Sequence, residues 1–295
     1  MTAGLSTGAR DEAIVRLRAA GCVFAEEEAA ILGEAADGSD DALAAMVTRR
    51  AAGEPVEQVV GYADFGGVRV RLRPGVFVPR VRSELLVRLG AAAIGPGALV
   101  VDLCCGSGAL GLAVRHRVPG ITLHAADLDP VAVTCARENL TADSEAAAAR
   151  VRTTRTAAIG AAGNQAEGNQ AEGNQARVHQ GDLFQALPTG LRGRIDLILA
   201  NVPYVATRHI PFLPAEARDH EPRTALDGGD DGLAVFRAVA AEAPRWLAPG
   251  GLLLSEITEA QTATALTIAD GNGLTATVVT DDDLDARAIL SRRPR

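Results

Sequence analysis

The chain has 295 residues, of which 47% are hydrophobic, so it is long enough for one large domain and a small one around a substantial core. All 29 basic residues are arginine because the sequence contains no lysine, and this excludes a Walker-type phosphate loop and a lysine Schiff base. A net charge of −8 argues against tight, non-specific binding to nucleic acid.

The cysteines and the first residues of the chain indicate the cellular setting. Cys22, Cys104, Cys105 and Cys135 form no CxxC pair and no Cys/His cluster at zinc-ligand spacing, so we expect a reduced chain without a metal site. Charged residues occupy the region Arg10–Arg16, where a secretory signal needs an apolar block, and no apolar run approaches membrane-spanning length. We therefore expect a cytoplasmic protein that does not bind a membrane.

The first part of the chain has the apolar spacing of helices. Residues such as Ile14 and Leu17 recur at three- and four-residue intervals among charged positions up to about Gly53. Ser39 is a predicted N-cap, and Gly53-Glu54-Pro55 predicts the end of the helix that follows it. We predict a small helical domain over residues 1–60.

The pattern changes to strict alternation at Val68. Val68, Val70 and Leu72 are separated by single arginines, as expected of a half-exposed strand. We predict a β-hairpin connector over residues 61–83.

The rest of the chain, residues 84–295, alternates short apolar runs with helical stretches. This pattern predicts an α/β fold with a Rossmann-like, mostly parallel sheet and helices on both faces. The predicted strands are Leu99–Leu103, Ile121–Ala126, Ile195–Ala200, Gly251–Ser255, Thr275–Thr280 and Ala288–Leu290, with a further strand before Gly181. A segment at about residues 142–177 is rich in Ala and Gly and repeats Gly-Asn-Gln, so we predict a flexible surface insertion there.

A glycine-rich turn follows the first of these strands. Val100-Val101-Asp102-Leu103-Cys104-Cys105-Gly106-Ser107-Gly108 predicts a buried strand, a tight turn and then a helix from about Leu110. Gly106, Gly108 and Gly111 also satisfy the dinucleotide pattern GxGxxG, so this segment by itself fits either a nicotinamide cofactor or S-adenosylmethionine.

Carboxylates around this turn favour S-adenosylmethionine. Asp102, at the end of its strand, is placed to reach a cationic ligand group, whereas it would repel a pyrophosphate. Asp127 is placed to accept both ribose hydroxyls, and Asp182 to hold the adenine amino group. Asp129, which precedes Pro130, is interpreted as a helix N-cap.

The chemical site is predicted where a second buried strand opens into the turn Asn201-Val202-Pro203-Tyr204. The Asn201 side-chain oxygen and the Val202 carbonyl can each accept one hydrogen of an NH2 group, and Tyr204 can cover a planar acceptor. An amide or arylamine nitrogen is a poor nucleophile, so positioning and exclusion of water are the expected catalytic contributions.

These two turns resemble those of the protein-(glutamine) methyltransferases that modify peptide release factors. That family has a glycine-rich Asp-Leu-x-x-Gly-x-Gly turn and an Asn-Pro-Pro-Tyr motif. The resemblance extends from about Gly53 to the end of the chain. Further landmarks that match are Pro79-Arg80, Glu84-Leu85-Leu86, Glu221-Pro222, Ala225-Leu226, Asp231-Gly232-Leu233, Pro249-Gly250-Gly251, Glu256 and Gln261.

The resemblance implies a class I methyltransferase fold, S-adenosylmethionine as cofactor and a release factor as the protein substrate. It implies that the catalytic residues are Asn201, Val202, Pro203 and Tyr204. The implied cofactor-binding residues are Asp102, Cys104, Cys105, Gly106, Ser107, Gly108, Asp127, Asp182, Leu183 and Asn201. Departures from the family pattern are Val202 for the first proline, Cys104 for the first glycine, Leu183 for an aromatic residue, Thr258 for a glycine and Arg80-Val81-Arg82-Ser83-Glu84 for Arg-Pro-Glu-Thr-Glu. Such departures are typical of a divergent branch.

Three alternatives to this function stay open at the level of the sequence. An Asn-Pro-Pro-Tyr turn also holds the exocyclic amine of adenine in enzymes that act on RNA or DNA, and six arginines between Arg69 and Arg88 are candidates for a local basic face. A nicotinamide dehydrogenase fits GxGxxG but leaves Asn201 unexplained. A cofactor-binding module without turnover is the third alternative.

Overall fold

The computed structural model describes residues 5–141 and 176–295. The Gly-Asn-Gln repeats and most of the predicted insertion therefore lie outside the described residues. The prediction extends the insertion to residue 177, but the structure begins a strand at Ala176. Ala176 and Arg177 pair in register with Leu123 and His124, so backbone hydrogen bonding to the neighbouring strand ends the insertion before them.

Four helices come first and enclose a core of their own. They are α1 (Thr7–Ala19), α2 (Ala25–Ala35), α3 (Asp40–Ala51) and α4 (Val56–Val60). The predicted cap is present, because the Ser39 hydroxyl accepts the N–H of Ala42 at 3.2 Å. Leu17, Leu32 and Leu43 are buried together between these helices, and this core is separate from those of the sheet.

A two-stranded hairpin follows, with β1 (Tyr62–Phe65) antiparallel to β2 (Val68–Arg71). Gly61 ends α4 in a left-handed conformation with φ of 80°. The alternation read from the sequence is present, since Val70 and Leu72 are buried and Arg69, Arg71 and Arg73 are exposed. The apolar face of the hairpin packs into the core of the large sheet, so the hairpin supports the sheet as well as connecting it to the helices.

The remaining strands form one seven-stranded sheet in the order β5-β4-β3-β6-β7-β9-β8. The strands are β3 (Leu99–Leu103), β4 (Thr122–Asp127), β5 (Ala176–Gln180), β6 (Ile195–Ala200), β7 (Leu247–Glu256), β8 (Thr275–Asp281) and β9 (Ala286–Arg292). The first five in spatial order are parallel, and β9 is antiparallel to both of its neighbours. The predicted α/β fold with a mostly parallel sheet is confirmed.

Helices cover both faces of this sheet, as predicted. They are α5 (Glu84–Ala93), α6 (Ala109–Arg117), α7 (130–141), α8 (Ala215–His220), α9 (Arg223–Leu226), α10 (Ala234–Trp246) and α11 (Thr262–Gly271). Short 3-10 helices span Val81–Ser83, Leu183–Ala186, Thr189–Leu191, Thr207–Phe212 and Glu259–Gln261. One core packs α5 and α6 on the sheet, and a second core packs α10 and α11 on the opposite face. Phe236 and Trp246 of α10 are 1% and 2% exposed, so both serve in packing.

The strand β7 begins earlier than the sequence pattern indicates. Pro249-Gly250-Gly251 suggests a turn, and the prediction therefore begins this strand at Gly251. In the structure Leu247 already pairs with Ile195, and the ladder resumes at Leu252 after a register shift. A bulge of this kind lets a strand pass through a Pro-Gly segment without ending.

Two histidines from neighbouring strands lie side by side. His124 on β4 and His179 on β5 stack with ring centroids 5.1 Å apart, and their Nδ1 and Nε2 atoms are 2.9 Å apart. The pair is far apart in sequence, so no local spacing indicates it. Burial, with the neighbouring charges of His179 and Arg177, lowers the pKa of His124 to about 4 from its ordinary value of 6.5.

We predict that this histidine makes stability depend on pH. Below about pH 6.5 the unfolded chain binds a proton at His124 that the folded chain does not bind until about pH 4, so the free energy of unfolding falls as the pH drops through this window. We expect this loss to be about 2–3 kcal/mol and to be absent from His124→Gln, measured by urea unfolding between pH 7.5 and 4.5. His116→Gln, at an exposed histidine, is the matched control. An equal dependence of the free energy of unfolding on pH in wild type and His124→Gln would contradict the prediction.

Candidate active site

The segments singled out in the sequence meet at one edge of the sheet. Cys104–Ser107 follow β3, Asp127 ends β4, Asp182 follows β5 and Asn201 follows β6. These strands are parallel and adjacent, so their carboxyl ends lie side by side. All of these residues line one cavity of about 670 Å³, a volume within the range of about 300–1,000 Å³ that is usual for small-molecule sites.

The turn after β3 presents backbone to the cavity. Gly106 has φ of 54°, and its N–H donates to Asp127 Oδ2 at 2.9 Å. Cys104 also has a positive φ, 53°, in the position where the resemblance leads us to expect glycine. A non-glycine residue in this conformation costs roughly 1–2 kcal/mol. The turn therefore keeps its glycine-like backbone, at an energetic cost, although a cysteine occupies the position.

Asp102 and Gly108 are the two predicted cofactor residues that do not line the cavity. Asp102 is 1% exposed, and its Oδ2 accepts the N–H of Gly111 at 2.9 Å. Burial raises the pKa of its carboxyl group to about 7. A side chain at Gly111 would lie 3.1 Å from this oxygen, so glycine there makes room for the carboxylate. Asp102 thus bonds the start of α6 and lies behind the residues that line the cavity.

Asp127 is held in place by backbone donors. Its Oδ1 accepts the N–H of Asp129 and its Oδ2 that of Gly106, both at 2.9 Å. Burial raises the pKa of its carboxyl group above the ordinary value. Each carboxylate oxygen can accept a second hydrogen bond, so two acceptor positions remain for ligand hydroxyls. Asp129 Oδ1 accepts the N–H of Val131 at 2.7 Å, in agreement with its interpretation as the N-cap of α7.

The turn after β6 is linked to two side chains from other elements. Asn201 Nδ2 donates to Ser83 Oγ at 3.1 Å, and the Ser83 hydroxyl donates to Glu256 Oε2 at 2.6 Å. The Tyr204 hydroxyl donates to the other oxygen of Glu256 at 2.8 Å. Asn201 Oδ1 is buried and has no hydrogen-bond partner. Asn201 therefore lines the cavity with an amide that has its donor end bonded and its acceptor end unpaired.

Two loops close on the same turn from behind. Gln261 Nε2 donates to the carbonyl oxygens of Tyr204, at 2.8 Å, and Asp231, at 3.1 Å. Gly232 has φ of 77°, and a Cβ there would collide with the Tyr204 carbonyl oxygen. Val202, which replaces the family's first proline, is 2% exposed and packs in the core. The turn is therefore fixed by tertiary contacts on both sides.

The sequence analysis gives no role to Ser83 or Glu256, although both belong to segments compared with the family. It also misses Phe77, Thr224 and Ala225, which complete the cavity wall. One signal points to Glu256, since a carboxylate ends a buried strand at the same edge of the sheet as Asp127. No comparable signal marks the other residues, which come from a 3-10 helix (Ser83), a loop (Phe77) and the short helix α9 (Thr224 and Ala225).

The cysteines and metal-binding side chains offer no second chemistry in the described ranges. Burial raises the pKa of the Cys104 and Cys105 thiols far above the usual value, so both stay protonated and unreactive. Residues 5–141 and 176–295 contain no group of three or more His, Cys, Asp or Glu side chains that could hold a metal ion. Within the same ranges, no helix combines the length and apolar character needed to cross a membrane.

Five of the six arginines between Arg69 and Arg88 are paired with carboxylates of the described residues. The pairs are Arg69 with Asp64, Arg73 with Glu138, Arg80 with Glu221, Arg82 with Glu256 and Arg88 with Asp281. A neighbouring carboxylate cancels most of the field of a guanidinium at the distance of a phosphate backbone. The local basic face considered from the sequence is therefore largely neutralised.

The chain is similar in sequence to known methyltransferases. The chain matches the family model "Methyltransferase small domain" over residues 68–157. A relative from Mycolicibacterium smegmatis named release factor glutamine methyltransferase is 35% identical over 267 residues, covering 88% of this chain and 80% of the relative. A relative from Streptomyces pristinaespiralis named 4-amino-L-phenylalanine/4-methylamino-L-phenylalanine methyltransferase is 34% identical over 221 residues, covering 71% and 63%.

A solved methyltransferase from Pyrococcus furiosus superimposes with a TM-score of 0.51 at 12% identity, covering 78% of this chain and 90% of that chain. A likeness at this identity concerns the fold alone. The sequence similarity to the Mycolicibacterium smegmatis protein extends over most of both chains. The chain therefore belongs to the release factor glutamine methyltransferase family.

Proposed function

We propose that the protein transfers the methyl group of S-adenosylmethionine to the side-chain amide nitrogen of a protein glutamine, in a peptide chain release factor. The observation that carries this proposal is the buried, unpartnered Oδ1 of Asn201 in the cavity wall. A buried acceptor without a partner costs about 1–3 kcal/mol, and the NH2 group of a bound glutamine would satisfy it.

The charges of the cavity wall fit S-adenosylmethionine. Among the described residues, the charged side chains that line the cavity are Asp127, Asp129 and Asp182, and no arginine lines it. This wall suits a cationic sulfonium and would repel a pyrophosphate, so it favours S-adenosylmethionine over the nicotinamide cofactor that GxGxxG also allows. Asp127 would accept the ribose hydroxyls, Cys104–Ser107 would contact the methionine part, and Asp182 and Leu183 would lie at the adenine.

The residues of the acceptor turn then act by positioning. S-adenosylmethionine, when bound, supplies an electrophilic methyl group on a good leaving group. Asn201 Oδ1 would accept one hydrogen of the acceptor NH2 and the Val202 carbonyl the other, while Tyr204 would cover the planar group. These contacts hold a delocalised nitrogen lone pair in line with the methyl group and exclude water. No strong base is needed, because the nitrogen can lose its proton during or after transfer.

An arylamine is the second candidate acceptor. The relative from Streptomyces pristinaespiralis is named for 4-aminophenylalanine substrates. An aromatic amine has the same planar NH2 group as an amide, so Asn201 Oδ1 would accept a hydrogen from either. Phe77, Val202 and Val235 give the cavity an apolar wall that would also hold an aromatic ring.

The first experiment compares these acceptors directly. We expect radiolabelled methyl to pass from S-adenosylmethionine to a purified release factor carrying a Gly-Gly-Gln motif, and not to the same factor with that glutamine changed to alanine. Free 4-amino-L-phenylalanine is tested in parallel. Label on the amino acid alone would replace the glutamine acceptor by an arylamine, and cofactor binding without transfer to either would favour a binding module.

We predict that Asn201→Ala lowers kcat for the accepted substrate by about 100-fold or more, because the oriented acceptor for its NH2 group is lost. The dissociation constant for S-adenosylhomocysteine, measured by calorimetry, should stay within about twofold, since an uncharged side chain at the acceptor end is removed. The matched control is Asn272→Ala, at the end of α11 and bonded to Ile268, which should keep full activity. A fully active Asn201→Ala enzyme would refute the proposed site.

We predict that Asp127→Asn weakens S-adenosylhomocysteine binding by about 10- to 100-fold, because charge-assisted hydrogen bonds to the ribose lose their charge. The raised pKa of Asp127 means that wild-type affinity should decline as the pH falls, at a higher pH than an ordinary aspartate would give. Calorimetry across pH measures both effects. Asp281→Asn, on the strand at the far edge of the sheet, is the control, and equal affinities for Asp127→Asn and wild type would exclude the ribose contact.

A further inference from the structure

A primary amide has one acceptor end and one donor end of nearly the same shape, so the site works only if Asn201 presents its oxygen to the substrate. Neither the backbone turn nor the sequence motif decides this, because rotation of the amide group by half a turn exchanges the two ends. The orientation must come from the groups that contact the amide. In the described structure the Asn201 side chain is hydrogen-bonded to Ser83 Oγ.

The direction of the hydrogen bonds in this network follows from Glu256. A carboxylate can only accept, so the Ser83 hydroxyl, 2.6 Å from Oε2, must donate its proton to Glu256. The Ser83 oxygen then has only lone pairs left to offer. Asn201, 3.1 Å away, must therefore donate its Nδ2–H to that oxygen, and its Oδ1 is left without a partner.

Burial of the network prevents water from changing the direction of these hydrogen bonds. Ser83 is 1% exposed and Glu256 is 5% exposed, so water does not compete for these bonds. Arg82 Nε lies 3.5 Å from Glu256 Oε1, so a cation accompanies the buried carboxylate. The same oxygen accepts the Tyr204 hydroxyl at 2.8 Å, so one carboxylate is bonded directly to Tyr204 and is linked through Ser83 to Asn201.

We propose that Ser83 and Glu256 are positioning residues that set the polarity of the Asn201 amide and thereby the specificity for an acceptor that donates two hydrogens. This inference rests on the proposed function, in which Asn201 Oδ1 receives the substrate NH2. With the amide reversed, two NH2 groups would face each other and the buried donors of both would be unpaired. The network therefore selects an NH2 group and disfavours a carboxylate or carbonyl of similar shape at the same place.

The test compares three serine variants by kcat, KM and cofactor affinity. Ser83→Ala should lower kcat/KM for the acceptor by about tenfold or more, as expected for a lost positioning hydrogen bond, with the dissociation constant for S-adenosylhomocysteine within about twofold of wild type. Ser83→Thr restores the hydroxyl and should restore kcat/KM. Ser291→Ala removes an equally buried hydroxyl that has no hydrogen-bond partner among the described residues. Its kcat/KM and its dissociation constant for S-adenosylhomocysteine should match those of wild type.

Two further comparisons separate positioning from a structural role. In an Asn201→Ala background, Ser83→Ala should cause no further loss of acceptor affinity in the presence of S-adenosylhomocysteine, because Ser83 acts through Asn201. An equal loss in both backgrounds would overturn the proposal. Glu256→Gln, which no longer forces both hydroxyls to donate, should also lower kcat/KM without changing S-adenosylhomocysteine affinity, and an unchanged kcat/KM would remove Glu256 from the network.

Hydrogen exchange of the Asn201 side-chain NH2 group tests the polarity of the amide without requiring methyl transfer. It therefore separates this proposal from the proposed function. The side-chain NH2 signals of Asn201, assigned by their loss in Asn201→Ala, should be protected from hydrogen exchange in wild type and in Ser83→Thr, but not in Ser83→Ala. Absence of protection in wild type would overturn the proposed polarity. If protection is present but no acceptor is methylated, the network stands and the proposed function fails.

Discussion

The parallel alignment of four adjacent strands is the constraint on which the site depends. Because β4, β3, β6 and β7 run in the same direction, the residues that follow or end them meet at one edge of the sheet. The chain leaves β3 towards β4 and β5 and returns to β6 on its other side, which opens a crevice at this point. Groups from distant parts of the sequence thus reach a single cavity without any local motif joining them.

Charged side chains are distributed differently over the protein surface and at the sheet edge that forms the cavity. Arginine is the sole basic side chain of the protein beyond histidine, and several arginines lie in surface pairs with carboxylates that cancel their charge. The described cavity wall keeps carboxylates and lacks arginine. A cationic cofactor is favoured there, whereas a polyanion finds no concentrated positive field on the hairpin or α5.

The departures from the family pattern leave the backbone of both turns in place. Cys104 takes the left-handed conformation that a glycine would take, and Val202 places its side chain in the core beside the acceptor turn. In each case contacts from other elements fix the turn: Asp127 bonds the turn that contains Cys104, and Gln261 bonds the turn that contains Val202. Tertiary packing thereby supports local geometry that the substituted residues favour less by themselves.

The sequence by itself determined the α/β fold, the strand that carries each turn and the position of Asn201, because hydrophobic periodicity and turn chemistry are local properties. It did not indicate that Asp102 faces α6 behind the turn, that His124 and His179 pair, or that Ser83 and Glu256 orient the Asn201 amide. Those features depend on which side chains meet across strands and loops far apart in sequence. Direction of a hydrogen bond, and the pKa of a buried group, are decided only when such neighbours are in contact.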